Sequence, residues 1–117
     1  MPGIQCRLLS LVYLILWGVK EYSVAEQMLA QTLARMLRAR RKELGLTQEQ
    51  VALAANIERN TYQLMESGLS DRTTNRLLNP RLFTLMALAQ VLELPLAEVF
   101  TQAQAQYLQY KDRSAQQ

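Results

Sequence analysis

A chain of 117 residues has the length of one domain, and with half of those residues apolar it holds enough for one modest core. Four glycines and three prolines are few, and leucine, alanine, glutamine and arginine dominate, a mixture that favours helices over sheet. With no histidine and one cysteine, Cys6, the chain lacks an imidazole base, a Ser-His or Cys-His nucleophile, an intrachain disulfide and a CxxC zinc clamp, so no enzyme, metal site or cofactor is expected.

The net charge of +3 is unevenly placed. Residues 26–46 hold Arg35, Arg38, Arg40, Arg41 and Lys42 against Glu26 and Glu43, whereas residues 47–67 hold Arg59 against Glu49, Glu58 and Glu66. A basic segment of this kind suits a phosphate backbone or an anionic membrane surface, and equally a solvated helix face. Charge alone does not choose between them.

Residues 1–25 form an apolar N-terminal extension. After Arg7, the run Leu8–Val19 carries no charge over twelve residues. A membrane span needs about 20 apolar residues, and about 10–14 more often marks a buried helix or a signal-peptide core. The first reading is an extra apolar helix, or an upstream extension with translation starting near Met28. A membrane anchor ranks second, and a cleaved signal with Ser23-Val24-Ala25 as its processing site third. Tyr13 and Trp17 suit an interfacial anchor, internal packing or dimerisation alike. Cys6 reads as a small apolar side chain rather than a redox sensor.

From Val24 to Leu44 the apolar positions Leu29, Leu33, Met36, Leu37 and Leu44 recur every three or four residues, which predicts an amphipathic helix stopped by Gly45. Arg41 falls on the apolar stripe, so its guanidinium requires a carboxylate or an exit to water. Thr47 with Gln50 three residues on is a capping box, starting a short helix through Val51, Ala52, Leu53 and Ala55 that breaks near Asn56. A second short helix follows from about Glu58 to Ser67, ended by Gly68. Its inward candidates are Ile57, Tyr62 and Met65, and Arg59, Asn60 and Gln63 face outward. Two such helices joined by about three residues make a helix-turn-helix unit, with Ala52 as the small residue at the crossing.

Residues 69–80, with Arg72 and Arg76, show no convincing period and read as a polar loop. Leu82, Leu85, Leu88, Ala89 and Leu92 give another amphipathic helix, interrupted at Glu93-Leu94-Pro95. Leu96–Phe100 reads as the last helix of the core, and residues 101–117 as a glutamine-rich C-terminal tail. Ala103, Tyr107 and Tyr110 extend a stripe from Val99, so the tail reads as a helical extension. On this reading the apolar faces of 8–19 and 99–110 lack a partner within the domain.

The stretch RARRKELGLTQEQVALAANIERNTYQLMESG at 38–68, followed by NPRLFTLMALAQVLELPLAEVF at 79–100, resembles the Cro/CI-type (Xre-type) helix-turn-helix family of phage repressors and bacterial regulators. The resemblance covers about residues 26–100. It implies an all-α fold, a compact five-helix phage-repressor-like bundle, here with an extra apolar N-terminal helix and a C-terminal extension. It further implies a cytoplasmic, non-enzymatic regulator of transcription that binds double-stranded DNA as a homodimer on an inverted repeat. The helix at about 59–67 would enter the major groove.

Residue by residue, the resemblance assigns DNA contacts to Gln48, Arg59, Asn60, Thr61 and Gln63, and a structural ion pair to Arg41 and Glu66. Arg38, Lys42, Arg72 and Arg76, with Arg35 and Arg40, are candidates for phosphate attraction. The plain alternative for the outward residues is the wet face of a surface helix, and for Arg72 and Arg76 loop solubility. Several positions depart from the family pattern. Asn56 stands where glycine is commonest, Tyr62 replaces isoleucine or valine, Leu64 replaces a polar residue, and Pro95 replaces a cap. Two other functions compete with DNA reading: an adaptor or antitoxin binding a protein partner, and a regulator tethered to a membrane through 8–19.

Overall fold

The computed structural model describes residues 22–71 and 73–116, so the expectations for Leu8–Val19, Cys6 and Arg72 lie outside the described residues. Among the described residues, five helices and a small hairpin follow one another: α1 (Val24–Glu43), α2 (Gln48–Ala54), α3 (Arg59–Glu66), β1 (Leu69–Asp71), β2 (Arg76–Leu77), α4 (Leu82–Leu92) and α5 (Leu96–Gln116).

Local chemistry sets most of the boundaries. Ser23 caps α1 by accepting the Glu26 N–H at 3.1 Å, while Glu26 accepts the Ser23 N–H at 3.1 Å. Thr47 and Gln50 make the same reciprocal pair for α2, at 3.1 and 2.8 Å. Such a pair satisfies two N–H groups that a helix start would otherwise leave without partners. At the far end of α1, Arg40, Arg41 and Lys42 lie against the negative pole of the helix dipole. Asn56 turns the chain between α2 and α3 at φ +56°, a conformation asparagine tolerates. The turn is closed by the Ile57 N–H donating to the Ala52 carbonyl at 2.8 Å. Ala52 is buried, and its small side chain lets α3 cross α2 closely.

Leu37, Val51, Tyr62, Leu88 and Leu92 are the largest fully buried side chains, so the core lies where α1, α2, α3 and α4 meet. Burying each such side chain is worth about 1.5–3 kcal/mol.

Two features differ from the sequence reading. The expected loop at 69–80 contains an antiparallel hairpin, with Leu69 opposite Leu77 and Asp71 opposite Arg76. Strands of two and three residues are too short to show an alternating period. Side chains hold the turn instead: the Asp71 carboxylate accepts the Thr73 N–H at 2.9 Å, and the Ser70 hydroxyl donates to the Leu77 carbonyl at 2.9 Å. The second difference is that the helical extension after residue 100, continuous with α5, does not stand apart but packs along α1. Val99 and Ala103 are buried, and the Thr32 hydroxyl bonds the Gln106 amide oxygen. The face beginning at Val99 therefore does have a partner within the domain. Ala30 and Ala34 on α1, with Ala103 on α5, provide the small side chains that let two helices lie close. Among the described residues, no single helix is long and apolar enough to cross a membrane.

Candidate nucleic-acid interface

An isolated eight-residue helix is too short to be stable in water, so α3 owes its existence to what it packs against. Tyr62, Met65 and Glu66 are its buried side, and Arg59, Asn60, Thr61 and Gln63 are all exposed. Its N-cap residue, Glu58, makes no side-chain cap, which leaves the first N–H groups of α3 without a side-chain acceptor from that residue.

Glu66 fixes how α3 sits. Its carboxylate accepts from Arg41 of α1 (Nε to Oε1, 2.5 Å; Nη2 to Oε2, 3.1 Å), from Gln48 of α2 (Nε2 to Oε2, 2.6 Å) and from the Tyr62 hydroxyl (2.8 Å). Arg41 also donates through Nη1 to the Leu46 carbonyl at 3.0 Å. Three helices are thus joined at one carboxylate whose side chain is only 4% exposed. Burial pushes the Glu66 carboxyl up, but the hydrogen bonds from Arg41, Gln48 and Tyr62 outweigh it and hold the carboxyl below its ordinary range. The hydrogen bond to Glu66 raises Arg41 in turn. Burial, then the bond to Glu66, pushes the Tyr62 hydroxyl well up. The cluster is charged and fully engaged at neutral pH.

The positions expected to meet DNA are distributed as follows. Arg59, Asn60, Thr61 and Gln63 sit together on α3 and are open to solvent. Gln48, at the start of α2, is half-buried with one amide N–H on Glu66. An amide carries a second N–H and an acceptor oxygen, so Gln48 retains capacity for another partner. Arg38 and Lys42 are exposed on α1. Arg76 is exposed on β2 opposite Asp71, whose carboxyl is held low first by the Thr73 N–H, then by Thr74, with Arg76 contributing further.

Two basic residues are otherwise occupied. Arg40 donates to the Leu92 carbonyl at 2.8 Å and pairs with Glu43 and Glu93, so it closes the end of α4 rather than standing free for a phosphate. Arg35 donates to Thr32 at 3.3 Å. The arginine cap on α4 has no local sequence signal, because its partners lie 52 and 53 residues away. The Tyr62 bond to Glu66 was legible in principle, since the two stand four apart on one helix.

Two short helices at a tight turn, the second held from inside by a buried ion pair and wet outside, define a helix-turn-helix protein of the kind that reads duplex DNA. A family model described as helix-turn-helix, of the Xre/Cro-CI type, matches residues 37–99, and the chain belongs to that family of DNA-binding regulators. The match runs from the second half of α1 to the first turn of α5. No curated protein and no solved structure matches the chain at a significant level.

Proposed function

We propose that this chain is a sequence-specific transcriptional regulator that lays α3 in the major groove of double-stranded DNA. The observation that carries the reading is the exposed set Arg59, Asn60, Thr61 and Gln63 on a helix whose opposite side is locked by Glu66. Arginine can donate a bidentate pair to guanine O6 and N7, and asparagine or glutamine can do so to adenine N6 and N7. Gln48, anchored through Glu66, extends the site from α2 and braces the last turn of α3. Arg38, Lys42 and Arg76, together with Arg72, supply attraction to phosphates that carries no sequence information.

One eight-residue helix reads too few base pairs to select a site in a genome. A homodimer on an inverted repeat doubles the contacts and spaces the half-sites by about 34–36 Å. Phe83 and Met86, large apolar side chains exposed on α4, support such an association. The cytoplasm is the location that this reading assigns to the protein. The test is selection of bound duplexes from a random pool, followed by salt titration of the winner. An enriched two-fold site whose affinity falls steeply with salt is the expected result. A pool without enrichment, together with a stoichiometric co-purifying protein, would replace the reading with that of an adaptor or antitoxin.

A further inference from the structure

Behind the helix-turn-helix unit lies an open cavity of 640 Å³, bounded by Leu29 and Leu33 of α1, Leu78 after β2, Leu85 of α4, and Phe100 and Tyr107 of α5. Among the described residues, no charged side chain lines it. Leu82 and Phe100 stand at its walls yet are 64% and 48% exposed, so a substantial apolar surface is left facing water. A space of this size accommodates several side chains.

Three considerations select the occupant. The chain that leads into α1 holds Leu8–Val19, twelve uncharged residues rich in leucine, isoleucine and valine. An apolar segment presenting anchors such as Leu8, Val12, Ile15 and Val19 matches an uncharged aliphatic and aromatic groove better than a polar or charged ligand would. Reach is sufficient. The four steps from Val19 to Ser23 span about 13–14 Å when extended, and Leu29 lies only about 7.5 Å along the axis of α1 from Val24. Tethering decides between copies. A short linker gives an effective concentration in the millimolar range. A second molecule at micromolar concentration therefore competes at a disadvantage on the order of a thousandfold.

We propose that Leu8–Val19 of the same chain is the occupant of this groove. The seat does not depend on what α3 reads, although it bears on α3 mechanically. Leu78, one of the groove walls, donates its N–H to the carbonyl of Gly68 at 2.8 Å, directly after the end of α3. A filled groove therefore buttresses the segment on which the C-terminal end of α3 rests.

The chain provides two unique reporters, since Trp17 is its sole tryptophan and Cys6 its sole cysteine. In the full chain, Trp17 emission should be blue-shifted and iodide quenching several-fold weaker than for free N-acetyl-tryptophanamide, unchanged on dilution through the micromolar range. Leu82→Glu and Phe100→Glu on the groove, and Ile15→Glu on the segment, should each raise quenching to the free level while circular dichroism holds. Should a groove variant unfold, a spin label on Cys6, diluted into unlabelled protein, should still broaden the methyl signals of Leu29, Leu33 and Leu85 within the same molecule. Shielding lost on dilution would overturn the proposal in favour of a second copy. Shielding seen only with phosphatidylglycerol vesicles would overturn it in favour of a membrane. A Trp17 exposed under all conditions, or shielded but indifferent to folded groove variants, would overturn it outright.

Discussion

Glu66→Ala takes the acceptor from three donors at once, Arg41, Gln48 and Tyr62, at 2.5, 2.6 and 2.8 Å. The Arg41 and Glu66 side chains are 14% and 4% exposed, so the pair is mostly buried. Removing one partner of such a pair costs about 3–5 kcal/mol, because the other charge is stranded away from water. Arg41 keeps its bond to the Leu46 carbonyl and some access to solvent, which places its share near the lower end. The Tyr62 hydroxyl, fully buried, loses its acceptor and adds about 1 kcal/mol or more. A total of about 4 kcal/mol is a large part of the roughly 5–15 kcal/mol that holds a domain folded. At about 4–8 °C per kcal/mol for a domain of this size, the melting midpoint should fall by roughly 15–30 °C. Thermal circular dichroism on the parent and the variant reads this directly. Arg41→Met with Glu66→Leu removes both charges and should cost less than Glu66→Ala alone, since no ion is left unpaired. A Glu66→Ala protein melting within about 2 °C of the parent, or a double variant losing the sum of its parts, would refute the reasoning.

Four further outcomes are expected. Because Glu66 is held below its ordinary value of 4.5 in the folded state, the stability it contributes is complete above that value and is lost as pH falls through the lowered folded one. Acid unfolding monitored by urea titration should show that limb in the parent, and a flatter profile in Glu66→Gln. Arg59→Ala and Asn60→Ala, both at exposed positions, should leave the melting point within about 0.5 kcal/mol of the parent in stability. Each should relax preference at particular base pairs of a selected operator by about 1–3 kcal/mol, as read by competition binding. Lys42→Ala should weaken all duplexes alike and lower the slope of log affinity against log salt by about 0.9, whereas an unchanged slope would remove Lys42 from the phosphate contacts. Asn56→Ala should cost about 1–2 kcal/mol on denaturant unfolding, since alanine resists the positive φ that this turn requires.

The helix-turn-helix unit was legible because its signals are local and agree with one another: the Thr47–Gln50 capping box, Gly45 and Asn56 at positive φ, and Ala52 at the crossing. Arg41 announced itself by standing on an apolar stripe, where an unpaired guanidinium is untenable, and Glu66 meets it. What escaped the sequence depends on partners distant along the chain. Arg40 reads as one more basic residue until the end of α4 arrives beside it, and Thr32 as an ordinary helix residue until Gln106 does. The hairpin escaped because five strand residues cannot display a period, and its stability rests on Ser70 and Asp71 bonding the turn. The helical extension after residue 100 was legible in the stripe Val99, Ala103, Tyr107 and Tyr110, but its seat on α1 was not, because that partner lies far away along the chain. In this helix Val99 and Ala103 are buried, and Gln106 adds a side-chain bond to Thr32.

Two different kinds of constraint meet at the C-terminal end of α3, and this bears on how it reads a base sequence. Base-edge hydrogen bonds tolerate little misplacement, so a helix of eight residues must be oriented by its surroundings rather than by its own ladder. From within the bundle, orientation comes from directed, charge-assisted bonds: Glu66 takes donors from α1 and α2, and bidentate arginine geometry allows only a narrow range of approach. Two residues further on, the constraint is the Gly68 carbonyl accepting from Leu78, at the edge of an apolar cavity. A polar lock is stiff and insensitive to what fills nearby space, whereas an apolar wall moves with its occupant. Glu66 variants should therefore lose global stability, while substitutions at Leu78 or in the groove should leave α3 formed but less well fixed at Gly68.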